Sequence, residues 1–235
     1  MNRSSLSAVA ICLLSIPVGS SSADPFLPLD QGNTWIYDGD GGAHEQLTVT
    51  GTIELFGQIA TEITYSNSTD NEGLRNFWSA DENGDVALFG FERPGEFGLV
   101  YDPPIPMVDA PLSLGKQWSH TFDIYEFPSM QYLQTVDIHF EVYEEGDVVV
   151  PFGTFYSYGI GQFMPASSPF QGVSLTGEVT ADTEGAFVTD WWSGNLGRPK
   201  YWSGQLYELT DFNPPTPVET STWGRVKATF AIDRP

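Results

Sequence analysis

Six consecutive residues, Asp190-Trp191-Trp192-Ser193-Gly194-Asn195, place two indoles between a carboxylate and an amide, and Tyr201 and Trp202 follow them. An indole offers a broad apolar face with a polar edge. Sugar C–H groups pack on such a face while carboxylate and amide groups bind hydroxyls. Asp190, Trp191, Trp192, Asn195, Tyr201 and Trp202 therefore form the candidate ligand-binding set. Neighbours on a strand point to opposite faces of the sheet. One member of each aromatic pair must turn away from the core unless both faces are covered. The competing reading puts these rings in the core, where aromatic side chains dominate the packing.

Other clusters point to turns and solvated faces more than to chemistry. In "DENGD", Asp81, Asn83 and Asp85 alternate like the first ligands of a calcium loop, and Glu92 stands at the twelfth place. Val86, however, fills the sixth place, where such a loop needs Gly, and no helical pattern flanks it. A hairpin turn at Asn83-Gly84 is expected there, and another at Asp38–Gly42. Asp137, His139 and Glu141 share one strand face about 7 Å apart, too far for all three to hold one metal unaided. No cofactor is expected, with calcium the alternative to be tested at the "DENGD" stretch. The chain has no G-x-S-x-G, H-E-x-x-H, P-loop or dinucleotide fingerprint. Ser113 and Lys116 spell S-x-x-K without its companion motifs. Paired carboxylates could hydrolyse a polysaccharide, but 31 acidic residues single out no pair.

The first residues bound where this chemistry would happen. Arg3 precedes an apolar run from Leu6 to Val18, and Ser21-Ser22-Ala23 supplies small residues before Asp24. This is the pattern of a secretory leader, residues 1–23, cleaved near Ala23. The run is shorter than the roughly 20 residues of a membrane span. Ile11 before Cys12 argues against a lipidated cysteine. Beyond the leader there is no cysteine, hence no disulfide. Thirty-one acidic against nine basic residues give a net charge of −22, and loss of Arg3 with the leader leaves −23. Such a surface repels nucleic acid and anionic lipid, so neither nucleic-acid binding nor membrane insertion is expected.

The elements that would position these residues read as strands. In Gln58–Tyr65, alternation puts Ile59, Ile63 and Tyr65 on one face. In Val136–Val142, Val136, Ile138, Phe140 and Val142 alternate with Asp137, His139 and Glu141. Short segments bounded by Gly, Pro, Asn and Asp recur along the chain, the pattern of an all-β sandwich or barrel. The phrase P-L-x-x-G-x-x-W occurs twice, ending at Trp35 and Trp118. "FGQI" at Phe56 is echoed by "FGTF" at Phe152, and "FWS" at Phe77 by "WWS" at Trp191. Three echoes in one order imply an internal duplication. The predicted organisation is a first β repeat over 24–104, a second over 105–210, and a Pro-rich linker with a short tail over 211–235. In the tail, Ser221 caps a short helix carrying Trp223, Val226 and Phe230, with a last strand as the alternative.

Several of these residues also carry a resemblance. Pro28, Leu29, Gly32, Asn33, Trp35 and Tyr37 spell P-L-x-x-G-N-x-W-x-Y. Val150, Pro151, Gly153, Thr154 and Phe155 spell V-P-x-G-T-F. Trp191, Trp192, Gly197, Lys200 and Tyr201 form an aromatic segment ending G-x-x-K-Y. The chain resembles a loose group of uncharacterised secreted bacterial proteins with these segments. The resemblance implies an exported β-rich protein and brings no catalytic residues with it.

The predicted protein is thus all-β, two related antiparallel meanders forming one sandwich or barrel-like domain, exported to the periplasm or beyond. Its expected role is non-enzymatic: a binding or interaction module for a glycan or a small apolar ligand. A secreted polysaccharide hydrolase or lyase, and a structural envelope protein, are the alternatives. Oligomeric state is not legible.

Overall fold

The computed structural model describes residues 25–163, 188–202 and 205–214. The expectations for the leader and for the tail beyond Pro214 lie outside these residues. Twelve strands run in chain order: β1 Thr34–Gly39, β2 His44–Leu55, β3 Gln58–Ser66, β4 Arg75–Ala80, β5 Val86–Arg93, β6 Phe97–Val108, β7 Gln117–Glu126, β8 Gln131–Val150, β9 Gly153–Phe163, β10 Val188–Ser193, β11 Gly197–Trp202 and β12 Leu206–Asn213. Each pairs antiparallel with its chain neighbours, and β12 pairs with β1, so the sheet closes on itself. The choice left open by the sequence, sandwich or barrel, is resolved as an all-β closed barrel. Its two halves join edge to edge rather than face to face, which removes the sheet edges a sandwich would leave.

Period-two alternation decides which side chains enter the lumen. On β8, Val136, Ile138, Phe140 and Val142 are buried while Asp137, His139 and Glu141 lie outward. On β3, Ile63 and Tyr65 are buried, but Ile59 is 64% exposed. Ile59 has the expected parity, yet it sits on the β2–β3 hairpin beyond the last β3–β4 pair, Thr61–Trp78, where there is no lumen to enter. The Asn83-Gly84 turn joins β4 to β5 as expected. Only Gly84 adopts positive φ there, because Asp81 rather than a two-residue turn closes the loop.

The echoed phrases occupy matching places six strands apart. Gly32 and Gly115 both have positive φ, at 92° and 81°. Their N–H groups donate to Val49 and Val142 at 2.9 and 2.8 Å, and each acceptor precedes a register shift in its ladder. Trp35 and Trp118 then begin the inward packing of β1 and β7. "FGQI" and "FGTF" turn β2 into β3 and β8 into β9, and Trp78 meets Trp192 inside at 6.1 Å. The boundary placed between residues 104 and 105 falls within β6, which runs on to Val108.

The seams joining the halves differ. β12 pairs with β1 over all six residues of β1. β6 pairs with β7 over four, ending at Asp102–Asp123. Beyond Asp102, β6 carries Pro103, Pro104 and Pro106, which have no N–H to donate. Side chains bridge the interval: Trp118 Nε1 donates to Pro106 O at 2.8 Å, and His120 Nε2 meets Pro103 O at 3.4 Å. A second apolar cluster lies on the outer side of β4–β6, where Phe77 points away from the inward Asn76 and Trp78. Phe77, Phe89 and Val100 are buried there beneath Phe56, Tyr125 and Phe127.

Candidate functional site

The six residues of the predicted ligand set do not form one platform, because strand alternation divides them. Trp192 is 1% exposed and packs edge-on against Trp78. Tyr201 is buried, stacked on Tyr207 at 5.0 Å, and its hydroxyl donates to the Glu45 carboxylate. Asp190 is 2% exposed, paired with Arg198 at 3.4 Å and accepting from Gln162 Nε2 at 2.9 Å. These three belong to the lumen. Trp191 and Trp202 lie on the outer side, half-buried, and Asn195 is exposed in the β10–β11 turn with φ 62°.

The lumen is filled. Trp35, Trp78, Trp192, Tyr37, Tyr65, Tyr101, Tyr201 and Tyr207 are among its largest buried side chains. Several of their polar tips find partners inside: Trp35 Nε1 donates to Leu196 O at 2.6 Å, Tyr37 Oη to Arg198 O at 2.8 Å, and Asn76 Nδ2 to Tyr65 Oη at 3.0 Å. Arg198 also lies over the Tyr201 ring at 4.3 Å. Burial, then the charge of Glu45, pushes the Tyr207 phenol well above its ordinary range. The cavity between Trp35, Tyr37, Trp78, Trp192 and Arg198 measures about 10 Å³, the size of one water. Trp192 Nε1 borders it without a hydrogen-bond partner.

The outer side of β8–β11 presents a different constellation. Trp191 pairs with Gly159 on β9 and with Lys200 on β11. Its Nε1 donates to Glu144 Oε2 at 3.0 Å. Tyr143 meets it edge-on at 6.4 Å, and Lys200 Nζ lies 5.5 Å from the ring. A Cβ on Gly159 would stand 3.0 Å from Tyr143 Cζ, so the missing side chain makes room for the tyrosine ring. On the other face of the β8–β9 pair, against Tyr158, which is opposite the inward Trp192, Tyr156 is 54% exposed and donates to Glu145 at 2.5 Å. That hydrogen bond lifts the Tyr156 phenol to about 12. With the N–H of Leu114, it holds the Glu145 carboxyl below its usual range. Two aromatic rings, one carboxylate and one ammonium thus meet around Trp191 on the outer side.

Tyr143, Glu144 and Lys200 are the members the sequence reading missed. "YEEGD" lay just beyond the alternating stretch ending at Val142, and its approach to Trp191 depends on the register shift between Val142 and Glu144. At the "DENGD" turn, Asp81 Oδ1 accepts from the N–H groups of Asn83 and Asp85 at 2.9 and 3.0 Å. Desolvation raises the Asp81 carboxyl, but the donors from Asp85, Asn83 and Gly84 outweigh it and leave it lowered. Asp85 Oδ1 accepts from Ala110 N at 2.7 Å. These carboxylates cap a turn, and no group of three acidic or histidine side chains among the described residues is arranged to hold a metal.

No family model matches the chain, and no curated protein matches it. Two solved structures resemble it. One is a Bacteroides fragilis protein described as exported, with a YmcC-like fold: 14% identity, TM-score 0.48, 81% of this chain and 100% of that chain covered. The other is a Parabacteroides distasonis protein described as a lipoprotein: 14% identity, TM-score 0.39, with 81% and 99% covered. At this distance neither assigns a ligand or an activity.

Proposed function

We propose that the protein is an exported, non-enzymatic binding module that works from the outside of its barrel, with a glycan as the ligand class. The observation that carries this reading is Trp191: an outward indole held by Glu144, edged by Tyr143 and flanked by Lys200. The apolar ring suits sugar C–H groups, and the surrounding carboxylates and ammonium suit hydroxyls. Among the described residues, the lumen cavity between Trp35, Trp78 and Trp192 holds about 10 Å³, room for one water. The buried carboxylates Glu45 and Asp190 are tied to Tyr201, Asn71, Arg198 and Gln162, away from any substrate. Export rests on the leader pattern of residues 1–23. Outward Thr48, Thr50, Glu62, Thr64, Asp137 and Glu141 give the wall a polar exterior, unlike the apolar band of a membrane barrel.

A glycan-array and turnover screen on residues 24–235 tests the reading. Binding without turnover, lost in Trp191→Ala and weakened in Tyr143→Ala, supports it. Turnover would favour the hydrolase or lyase alternative. Binding that survives Trp191→Ala would remove the site, and no binding across the array would favour a structural role.

A further inference from the structure

Strand β8 runs on past its neighbour β7. Its last bonds to that side are made by Val142, whose N–H donates to Lys116 O at 2.9 Å and whose O accepts from Gly115 N at 2.8 Å. Beyond it, Glu144–Val150 and Gly153–Gly159 pair as a two-stranded arm closed by the turn at Pro151 and Phe152. The closing pair of a two-residue hairpin bonds across the arm, and alternate pairs turn their N–H and C=O groups outward. Val150, Val148 and Gly146 therefore bond to β9, while Glu145, Asp147 and Val149 aim their main-chain groups along the other edge. Tyr156 O, across from Asp147, accepts from Ser193 Oγ at 2.9 Å, as an outward-turned pair requires. No main-chain partner meets the β8 edge of the arm among the described residues, and Val149 is 71% exposed. We propose that residues 223–227 of the same chain complete this edge as an added antiparallel strand, with Trp223 opposite Val149, Arg225 opposite Asp147 and Lys227 opposite Glu145.

Side-chain pattern is the first argument. As a strand, Trp223, Arg225 and Lys227 share one face, and Gly224 and Val226 take the other. The first face continues that of Val149, Asp147 and Glu145. Each cation then stands directly opposite a carboxylate, a stabilising pair in an antiparallel sheet, and Trp223 covers an exposed valine. On the other face Val226 lies opposite Gly146, which leaves it room, and Gly224 opposite Val148. The two carboxylates are exposed and meet no cation among the described residues. Glu145 accepts from neutral donors, Tyr156 Oη and Leu114 N, and so keeps its charge. A second copy of the arm would set these carboxylates against their own kind, so the edge selects a basic strand.

Reach is the second. Phe152 N donates to Leu209 O at 3.0 Å, so the tip of the arm touches β12 four residues before its end at Asn213. An extended chain covers about 3.3 Å per residue. Asn213 is thus within about 13 Å of Leu209, and Val149 within about 10 Å of Phe152. With about 5.5 Å across the bonded pair, Asn213 and Val149 are at most about 29 Å apart. The ten residues from Asn213 to Trp223 cover about 31 Å at about 3.1 Å each, and Pro214, Pro215 and Pro217 favour that extension. A chain arriving from the tip runs against the direction of β8, which is the antiparallel sense.

Thiol trapping in the full chain tests the proposal. Cys12→Ser removes the one native cysteine. Trp223→Cys is then combined either with Val149→Cys or with Thr154→Cys, its partner on β9. Both positions are exposed and share one face of the arm, but Val149 alone borders the free edge. Docking predicts an intrachain disulfide forming about tenfold faster with Val149→Cys, because the local concentration is raised there. Equal or slower trapping overturns the proposal. Disulfide-linked dimers through Val149→Cys also overturn it, since a second copy would then be the occupant. Amide hydrogen exchange reads the same edge without thiols. In the unaltered chain, the N–H groups of Asp147 and Val149 should exchange about tenfold more slowly than in a chain ending at Val218. A chain with Arg225→Glu and Lys227→Glu should match the shortened one. Equal exchange in the full and shortened chains, or protection that survives the charge reversal, overturns docking. The Trp191 reading stands apart from either result, because Glu144 and Trp191 lie on the opposite face of the arm.

Discussion

Trp191 and Trp192 are adjacent in sequence and opposite in environment, so truncating each in turn measures the barrel directly. Trp192 is 1% exposed, and burying an aromatic side chain removes about 150–250 Å² from water. At about 25 cal/mol per Å², that is worth about 4–6 kcal/mol. The edge contact with Trp78 adds about 1 kcal/mol. Against this stands the unpartnered Nε1, whose burial costs about 1–3 kcal/mol and is relieved on truncation. Trp192→Ala should therefore destabilise by about 2–6 kcal/mol, centred near 4, which brackets the usual range for Trp→Ala in a core. Trp191→Ala loses an outer ring and one solvent-exposed hydrogen bond, and should cost about 1 kcal/mol or less. Trp192→Phe keeps most of the ring and discards the stranded N–H, so it should cost well under half of Trp192→Ala. Urea denaturation followed by far-UV circular dichroism measures all three. Equal losses for Trp191→Ala and Trp192→Ala would refute the assignment of faces, and a Trp192→Phe variant as unstable as Trp192→Ala would refute the cost placed on Nε1.

Three further outcomes follow from the same geometry. Gly90→Ala should destabilise by about 3 kcal/mol, because its Cβ would stand 2.1 Å from Leu99 O at φ 143°; chemical denaturation reads this, and a neutral substitution would contradict the register between β5 and β6. Asp190→Asn leaves the Arg198 guanidinium buried without its carboxylate and should cost about 3–5 kcal/mol, whereas a near-neutral result would show that water reaches Arg198. Glu145→Gln should bring the Tyr156 phenol down from about 12 towards its ordinary value, as measured by ultraviolet titration of phenolate. Because the folded value is raised, the stability supplied by this hydrogen bond is complete below the unfolded value near 10 and is lost as pH climbs through about 12. The lowered Glu145 carboxyl works in the opposite sense: its contribution is present above the unfolded carboxyl value and fades as pH falls through the folded one.

The strands were legible because alternation is a local property. Val136, Ile138, Phe140 and Val142 needed no partner to reveal their common face, and Gly32 and Gly115 marked equivalent turns through their shared phrase. Closure was not legible, because the pairing of Trp35 with Phe212 joins residues at opposite ends of the chain. The outer site was half legible for the same reason. Alternation correctly required one of Trp191 and Trp192 to face outward. It could not supply Tyr143 and Glu144, which reach Trp191 through a register shift on β8 and a missing side chain at Gly159. Ile59 shows the converse limit: a residue with the right parity stays exposed when its strand outruns the neighbour that would have covered it.

The aromatic richness that first suggested sugar binding has a structural origin for the most part. An eight-stranded barrel is filled by ordinary side chains, and barrels of sixteen or more strands leave a channel. Twelve strands fall between these, so a dry lumen demands unusually large residues. The three tryptophans and five tyrosines buried inside meet that demand. Filling a lumen with indoles and phenols brings N–H and O–H groups into it, and each needs a partner away from water. Glu45 accepts from Tyr201, Asn76 donates to Tyr65 and the Arg198 carbonyl accepts from Tyr37, while Asp190, itself held by Gln162, pairs with the Arg198 guanidinium. The buried charges thus sit among the aromatics that fill the barrel, paired with one another or with a phenol. With the described lumen given over to packing, the outer wall keeps Trp191 and Tyr143 accessible beside Glu144 and Lys200.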